Sequence, residues 1–425
     1  MILPLSGQKL PQNQFLRSDD LRRRNRRRVL SAVRTQARIS RTDISTETGL
    51  SAATVSAITS DLLQEDVLRR CEQDPGRTMG GDVVRGRPKS VLSLNPSVGV
   101  VGAVNLQLNA ITATIIDYSG QVMAQQDVEI DTLKASGQAL RRGLLGCLRK
   151  ALAQIGANNV QVRNVAVGVQ GTIDQSGERL LWSPITHCRN LQIQSWVEGE
   201  FGASTLAHND CDLIATALHH RDPARFGQNF AAILLAHGVG MGLVLRGLPV
   251  NGTRSSGTEF GHMVYIPEGA LCRCGSHGCI EAYAGDYAIS RRTSKAPETS
   301  EPVEFVHPDQ VERIACSALC GDPTTKAAIE EAGQALGSGL ASIFALVDPF
   351  PIALIGSLTS TRTILEPAIR CALARTMARR NIDEFEGNIA ESLEISFFPD
   401  SAELVQFGGH LHALMALDDE IANVA

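Results

Sequence analysis

Apolar positions along the first third of the chain recur at helical spacing. Leu21, Val29, Leu30 and Val33 share one face of a predicted helix, and Arg22, Arg23, Arg24, Arg26, Arg27 and Arg28 surround it. A short helix over 41–48 follows and ends at Gly49, the residue that most easily adopts a left-handed cap. Ser51 then caps a third helix in which Val55, Ile58, Leu62 and Leu63 are apolar, while Ala52, Ala53, Thr54, Ser56 and Thr59 lie elsewhere. Val67 to Arg70 predicts a strand. After a Gly/Asp-rich stretch, Arg85-Gly86-Arg87-Pro88-Lys89 precedes the apolar Val91, Leu92 and Leu94. Three short helices and a hairpin with a basic tip describe a winged helix-turn-helix over 21–95, behind an aperiodic arm over 1–20. An amphipathic three-helix packing module with a solvated basic face is the competing reading.

Asn95-Pro96 marks a boundary, because the residue before proline is pushed out of the helical region. Three alternating or apolar runs, 98–105, 110–117 and 122–130, predict a meander. A helix over 136–155 and a strand over 162–169 follow, the strand ending in Gly168-Val169-Gln170-Gly171-Thr172-Ile173-Asp174. Similar elements recur at 230–245 and 352–355, so the body is α/β, in two halves with a cleft between them. The expected boundaries are a small α/β lobe over 96–208, completed by a helix over 402–420, and a large lobe over 209–401.

Charge sharpens the division. Residues 1–95 hold 17 Lys and Arg against 10 Asp and Glu, whereas the rest of the 425 residues hold 23 against 35. A basic head on an acidic body is what a nucleic-acid-binding module on an effector domain presents. The N-terminus has no charged start followed by an apolar core, and the longest apolar stretch, 230–245, is broken by His237 and three glycines. The expected location is cytoplasmic, with no membrane partner.

Ten cysteines are too few for a disulfide scaffold, yet Cys272, Cys274 and Cys279 fall within eight positions. In C-x-C-G-x-x-G-C, Gly275 and Gly278 permit the turns that let three thiolates converge, and His262 lies ten residues upstream. Three sulfurs and one imidazole favour a closed, structural zinc site. His277 is an alternative ligand, and reduced structural cysteines or a redox pair are the competing readings.

These motifs resemble the ROK family, which unites sugar-responsive transcriptional repressors with bacterial sugar kinases. The resemblance rests on Glu259-x-Gly261-His262 followed by Cys272-x-Cys274-Gly275-x-x-Gly278-Cys279-x-Glu281, with weaker matches at Asn209-Asp210, Gly168-x-x-Gly171 with Asp174, and Asn190-Leu191 before Trp196. It implies a two-lobed actin-like, ribonuclease-H-like sugar-kinase fold behind the winged head. It also implies that Asn190, Asn209, Glu259, His262 and Glu281 hold sugar hydroxyls, and that Asp210 matches the base of the kinases. Taken singly, Asn209 and Asp210 also read as helix caps, and Glu259 and Glu281 as surface carboxylates.

Two departures from the kinase pattern direct the functional expectation. The Asp-x-Gly-x-Thr phosphate loop is replaced by Val104-Asn105-Leu106-Gln107-Leu108-Asn109, and Gly-Thr-Gly by Ala236-His237-Gly238-Val239-Gly240. A phosphate cradle needs exposed N–H groups in a glycine-permitted turn. The expectation is therefore a sugar-responsive DNA-binding regulator, dimeric or tetrameric, with structural zinc, no ATP and no catalytic residue, Asp210 being a vestigial base. A sugar kinase, or a regulator that senses a partner protein, is the alternative. The expected DNA contacts are Ser51, Ala53, Thr54, Ser56 and Thr59 on the third helix and Arg85, Arg87 and Lys89 on the wing, with Arg22 to Arg28 mostly on phosphates.

Overall fold

The computed structural model describes residues 18–71, 91–156, 161–252, 258–377 and 389–423. The chain divides into two compact units. One holds the residues up to 100 with 117–121 and 414–425, and the other holds 101–116 and 122–413.

In the first unit, α1 (Ser18–Gln36), α2 (Arg41–Thr48) and α3 (Ala52–Gln64) are joined by a sheet of β1 (Ile39–Ser40), β2 (Leu68–Cys71) and β3 (Val91–Leu94), in the order β1-β3-β2. The local signals act as expected. Gly49 adopts a left-handed φ of 65° at the end of α2, and the Ser51 hydroxyl accepts the Thr54 N–H at 3.1 Å. The core is Val29, Leu30, Val33, Ile44, Val55, Ile58 and Leu62. Leu21 departs from the expected face and is 45% exposed. The wing residues Arg85, Arg87 and Lys89 lie outside the described residues.

The arginines of α1 correct the sequence reading. Arg26 is fully buried, chelates the Glu65 carboxylate through both Nη atoms at 2.9 and 2.5 Å, and donates to Ile421 O. Arg22 pairs with Asp61, Arg27 with Asp419, and Arg28 donates to Thr48 O. Arg34 grips Asp418 in a bidentate pair at 2.7 and 3.0 Å, and the Tyr118 hydroxyl donates to the same carboxylate at 2.6 Å. Arg26 is thus an internal clamp, because a buried cation is retained only with partners, whereas Arg22, Arg23, Arg24, Arg27 and Arg28 are exposed.

The second unit repeats one topology twice. Its first sheet comprises β4 (Val100–Gln107), β5 (Ala110–Asp117), β6 (Val122–Glu129), β7 (Val162–Val169) and β10 (Ser204–Asn209), in the order β10-β7-β4-β5-β6. Between these strands lie α4 (Gly137–Gln154), the small ladder β8 (Thr172–Ile173) with β9 (Leu180–Trp182), and α5 (Ile193–Phe201). Helices α6 (Asp210–Arg221) and α7 (Pro223–Phe226) lead to the second sheet. That sheet has β11 (Phe230–Leu235), β12 (Val239–Leu245), β13 (Leu248–Pro249), β14 (Ile352–Ile355) and β15 (Ile395–Phe398), in the order β13-β12-β11-β14-β15. Each sheet is a three-stranded antiparallel meander extended by two strands reached through helical connections. In both, these added strands pair in parallel, β10 with β7 and β14 with β11 and β15.

Helices α8 (Glu281–Ala284), α9 (Asp286–Thr293), α10 (Pro308–Leu319), α11 (Pro323–Ile343), α12 (Arg362–Met377) and α13 (Ile389–Ser392) complete the second half. Its core runs from Ile233 and Leu354 through Ile280, Leu336, Leu340 and Ile369. The C-terminal α14 (Ser401–Asn423) lays Gly408 against the backbone of α6, where a Cβ would stand 2.1 Å from Leu213 O. Its last turns carry Asp418 and Ile421 in the head unit. No helix among the described residues is long and apolar enough to cross a membrane.

Candidate functional site

Ligand pockets of α/β sheets form where strands end at their carboxyl termini. Here the ends of β7 and β10 and the β11–β12 turn meet around a pocket of about 70 Å³. Asn209 and Asp210, the last residue of β10 and the first of α6, lie in its wall with Glu259, His262 and Glu281. Five of the six expected sugar residues thus converge from segments spread over more than seventy positions. Asn190 is not in this wall. It takes a left-handed φ of 53°, and its N–H donates to Leu181 O, so it shapes the turn after β9 instead.

Each side chain is fixed by a traceable local contact. Asn209 both caps α6, accepting the Cys211 N–H at 2.8 Å, and donates to Gly171 O at 2.8 Å, which ties β10 to the turn after β7. Gly171 has φ 132°, and a Cβ there would lie 2.3 Å from Trp182 O. Only glycine allows that approach, which sets Trp182 in the pocket wall. Glu281, at the start of α8, is buried and accepts the Val239 N–H at 3.1 Å. Glu259 is half exposed, with the Thr172 hydroxyl 3.5 Å and His262 Nε2 3.8 Å away.

Burial sets the electrostatics. Desolvation pushes the Asp210 carboxyl up to about 6, against the stabilising N–H of Cys211, and pushes Asp212, two residues on, up to about 7 with help from the Asp210 charge. Trp182, Pro184, Gln170 and Thr172 also line the pocket, and sequence reasoning missed them as site residues. The Gln170-Gly171-Thr172 turn was visible as a loop after a strand. Trp182 had no signal beyond being one of two tryptophans.

His262, Cys272, Cys274 and Cys279 place one ligand atom each within 4.8 Å of one another, a group that can hold a metal ion. Cys274 and Cys279 sulfurs are 3.8 Å apart, and His262 Nδ1 lies 3.7 Å from Cys272 Sγ. Tetrahedral thiolates at a bond length of about 2.3 Å stand about 3.8 Å apart, so the spacing fits such a centre. His262 turns Nδ1 to this cluster and Nε2 toward Glu259. Cys272 Sγ is also 3.6 Å from Glu281 Oε1. Two pocket residues are thereby built on the cysteine loop. His277 is exposed and outside the cluster.

The two segments expected at the phosphate positions both form turns between strands. Leu108-Asn109 is the tight turn between β4 and β5, and Asn109 exchanges hydrogen bonds with Thr132 through both its N–H and its side chain. Asn105 is buried. The His237-Gly238 turn between β11 and β12 faces the pocket, where a Cβ on Gly238 would lie 2.5 Å from Glu281.

The ROK family pattern matches residues 101–393, and a winged helix-turn-helix DNA-binding pattern matches residues 22–69. The chain belongs to the ROK family. Among ROK relatives, the DNA-binding transcriptional dual regulator NagC of Escherichia coli is 24% identical over 336 residues, covering 79% of this chain and 80% of that protein. A glucokinase of Streptomyces coelicolor is 26% identical over 294 residues, 67% of this chain and 90% of the kinase. The crystal structure of a ROK family transcriptional regulator, a homologue of the E. coli MLC protein, superposes with a TM-score of 0.74 at 23% identity, over 95% of this chain and 98% of that one. That likeness establishes the fold, head included.

On the head, Ser51, Ala53 and Ser56 are exposed and Thr54 partly so. Thr59 is corrected. It is fully buried, donates to Val55 O at 2.8 Å and accepts from Arg41 Nε at 2.7 Å, so it braces α2 against α3 and cannot reach a base edge.

Proposed function

We propose that this ROK chain is a sugar-responsive, DNA-binding transcriptional regulator that binds its sugar without phosphorylating it. The observation that carries the reading is the convergence of Asn209, Asp210, Glu259, His262 and Glu281 on one pocket in a chain that also bears a winged helix-turn-helix. Three carboxylates, an amide and an imidazole in one small cavity suit a polyhydroxylated ring, whose hydroxyls both donate and accept. A wrong epimer leaves one of these groups unpaired, which gives selectivity. The Asn109–Thr132 lock and the buried Asn105, where the kinases carry their phosphate loop, support binding without transfer.

The cysteine cluster holds structural zinc. Three thiolates and His262 Nδ1 complete a soft four-ligand shell, and the ion's contribution is to fix the loop that carries His262 and adjoins Glu281. On the head, Ser51, Ala53, Thr54 and Ser56 at the start of α3 approach the major groove, and a two-fold dimer spans two half-sites. Sugar acts by binding two conformations with different affinity, so that operator affinity changes with it.

The test is selection of sheared genomic DNA by the purified protein with and without a panel of sugars. Enrichment of a few promoters, altered by one sugar, is the expected result. Absence of enrichment under every condition, with sugar-dependent ATP hydrolysis, would overturn it in favour of the kinase.

A further inference from the structure

The wall of the sugar pocket is shared with a second cleft. Trp182 and Pro184 line both, and the second cleft, at about 240 Å³ against about 70 Å³, is the roomier. Beyond Trp182 it is bounded by Thr186, His187, Arg189, Arg273 and Glu304. Arg273 lies between two cysteines of the metal cluster. Its Nη atoms donate to His237 O at 2.6 Å and Val303 O at 3.0 Å, and its guanidinium stacks 4.4 Å over Tyr287. Its Nε is buried with no hydrogen-bond partner among the described residues. His187 and Glu304 stand 3.5 Å apart across the cleft, both largely exposed, and Arg189 is exposed beside them.

The chemistry of the lining selects among ligands. A dedicated anion site gathers donors and excludes carboxylates, but Glu304 sits here. An apolar guest would strip water from the exposed Arg189 and Glu304 without replacing it. Cations, a carboxylate and a threonine beside Trp182 match a neutral polyhydroxylated ring, whose hydroxyls pair with either sign while its C–H groups pack against an aromatic.

Building on the sugar reading, we propose that the effector is an extended sugar of at least two units: one ring occupies the Asp210–Glu281 pocket, and the next lies past Trp182 against Arg189, Arg273 and Glu304. The arginine that meets the second unit belongs to the metal-binding loop, so occupancy of either compartment is felt by the same segment.

The test is calorimetric titration of the full-length protein with monosaccharides, with disaccharides built from them, and with glucose 6-phosphate, repeated on Arg189→Ala and Glu304→Gln. Both residues are at the surface, and circular dichroism checks the fold. Trp196→Phe leaves Trp182 as the only tryptophan, and its fluorescence reports occupancy independently. The expected result is one disaccharide that binds at least about tenfold more tightly than either component. Arg189→Ala should remove that advantage while monosaccharide affinity stays unchanged. Monosaccharide binding with no tighter disaccharide, and no effect of Arg189→Ala, would overturn the extended site and leave the sugar reading intact. Tighter binding of glucose 6-phosphate, lost in Arg189→Ala, would overturn it in favour of an anion. Failure of every sugar to bind would overturn both readings.

Discussion

The head and the pocket both concentrate charge, and they dispose of it in opposite ways. In the head, four arginines of α1 are each met by a carboxylate: Arg22 by Asp61, Arg26 by Glu65, Arg27 by Asp419 and Arg34 by Asp418. In the pocket, Asp210, Glu259 and Glu281 face a cavity, and their direct partners are N–H donors, a threonine hydroxyl and an imidazole. Charges that neutralise one another hold structure together. Carboxylates that face a cavity without a paired guanidinium, one of them pushed up to about 6 by burial, carry a desolvation cost that a ligand can relieve. Charge run by charge run, sign says little about role; pairing says more.

The comparison can be broken most severely at Arg34. Replacing it with alanine strands Asp418, which is only 9% exposed, and should lower stability by about 3–5 kcal/mol, read by denaturant unfolding. Adding Asp418→Leu should recover a large part of that loss. A change below about 1 kcal/mol would mean that the clamp is not formed in solution.

In the pocket the expected loss is of binding. Asp210→Asn should weaken sugar binding about hundredfold while operator affinity measured without sugar is unchanged, because its carboxylate accepts hydroxyls and supports no head contact. The same carboxyl predicts a pH profile. With its value near 6, affinity should be flat above that pH and fall as the carboxylate protonates below it. Cys274→Ser, or chelation, should loosen the loop beneath His262 and lower sugar affinity about 10–100-fold.

Asp212→Asn sharpens the contrast more gently. A carboxyl raised from 3.8 to about 7 stays protonated in the folded chain while the unfolded chain ionises, so the native protein loses stability as pH climbs from about 4 to 7. The variant should therefore match the native protein at pH 4 and exceed it at pH 8, by at least the roughly 1.4 kcal/mol of one unit. Smallest of all is the effect of Arg22→Gln on DNA. If that cation is engaged with Asp61, the slope of log affinity against log salt should change by less than about one, the amount a true phosphate contact contributes.

Much of this was readable in the chain because the signals were local. Gly49, Ser51 and Asn95 set their turns and caps through their own backbone and nearest neighbours, and the meander over β4 to β6 follows from alternation. The metal cluster was readable because three of its ligands lie within eight positions. What misled was exposure. Thr59 and Arg26 have the composition of surface residues, and nothing in their neighbours reveals that Arg41 and Glu65 will cover them. Asn190 matched in order but not in place, since a left-handed turn after β9 decides where its side chain goes.

Sequence alone determined the elements, the head-and-body division of charge, and which residue types were available for a sugar and a metal, because helix caps, periodicity and close ligand spacing act over a few residues. Tertiary structure alone decided which charges pair and which face a cavity, that Trp182 lines the pocket, and that the pocket shares this wall with a second cleft. Those outcomes join residues such as Arg34 and Asp418, or Gly171, Trp182 and Arg273, that are remote in the chain and meet only when the sheets and helices pack.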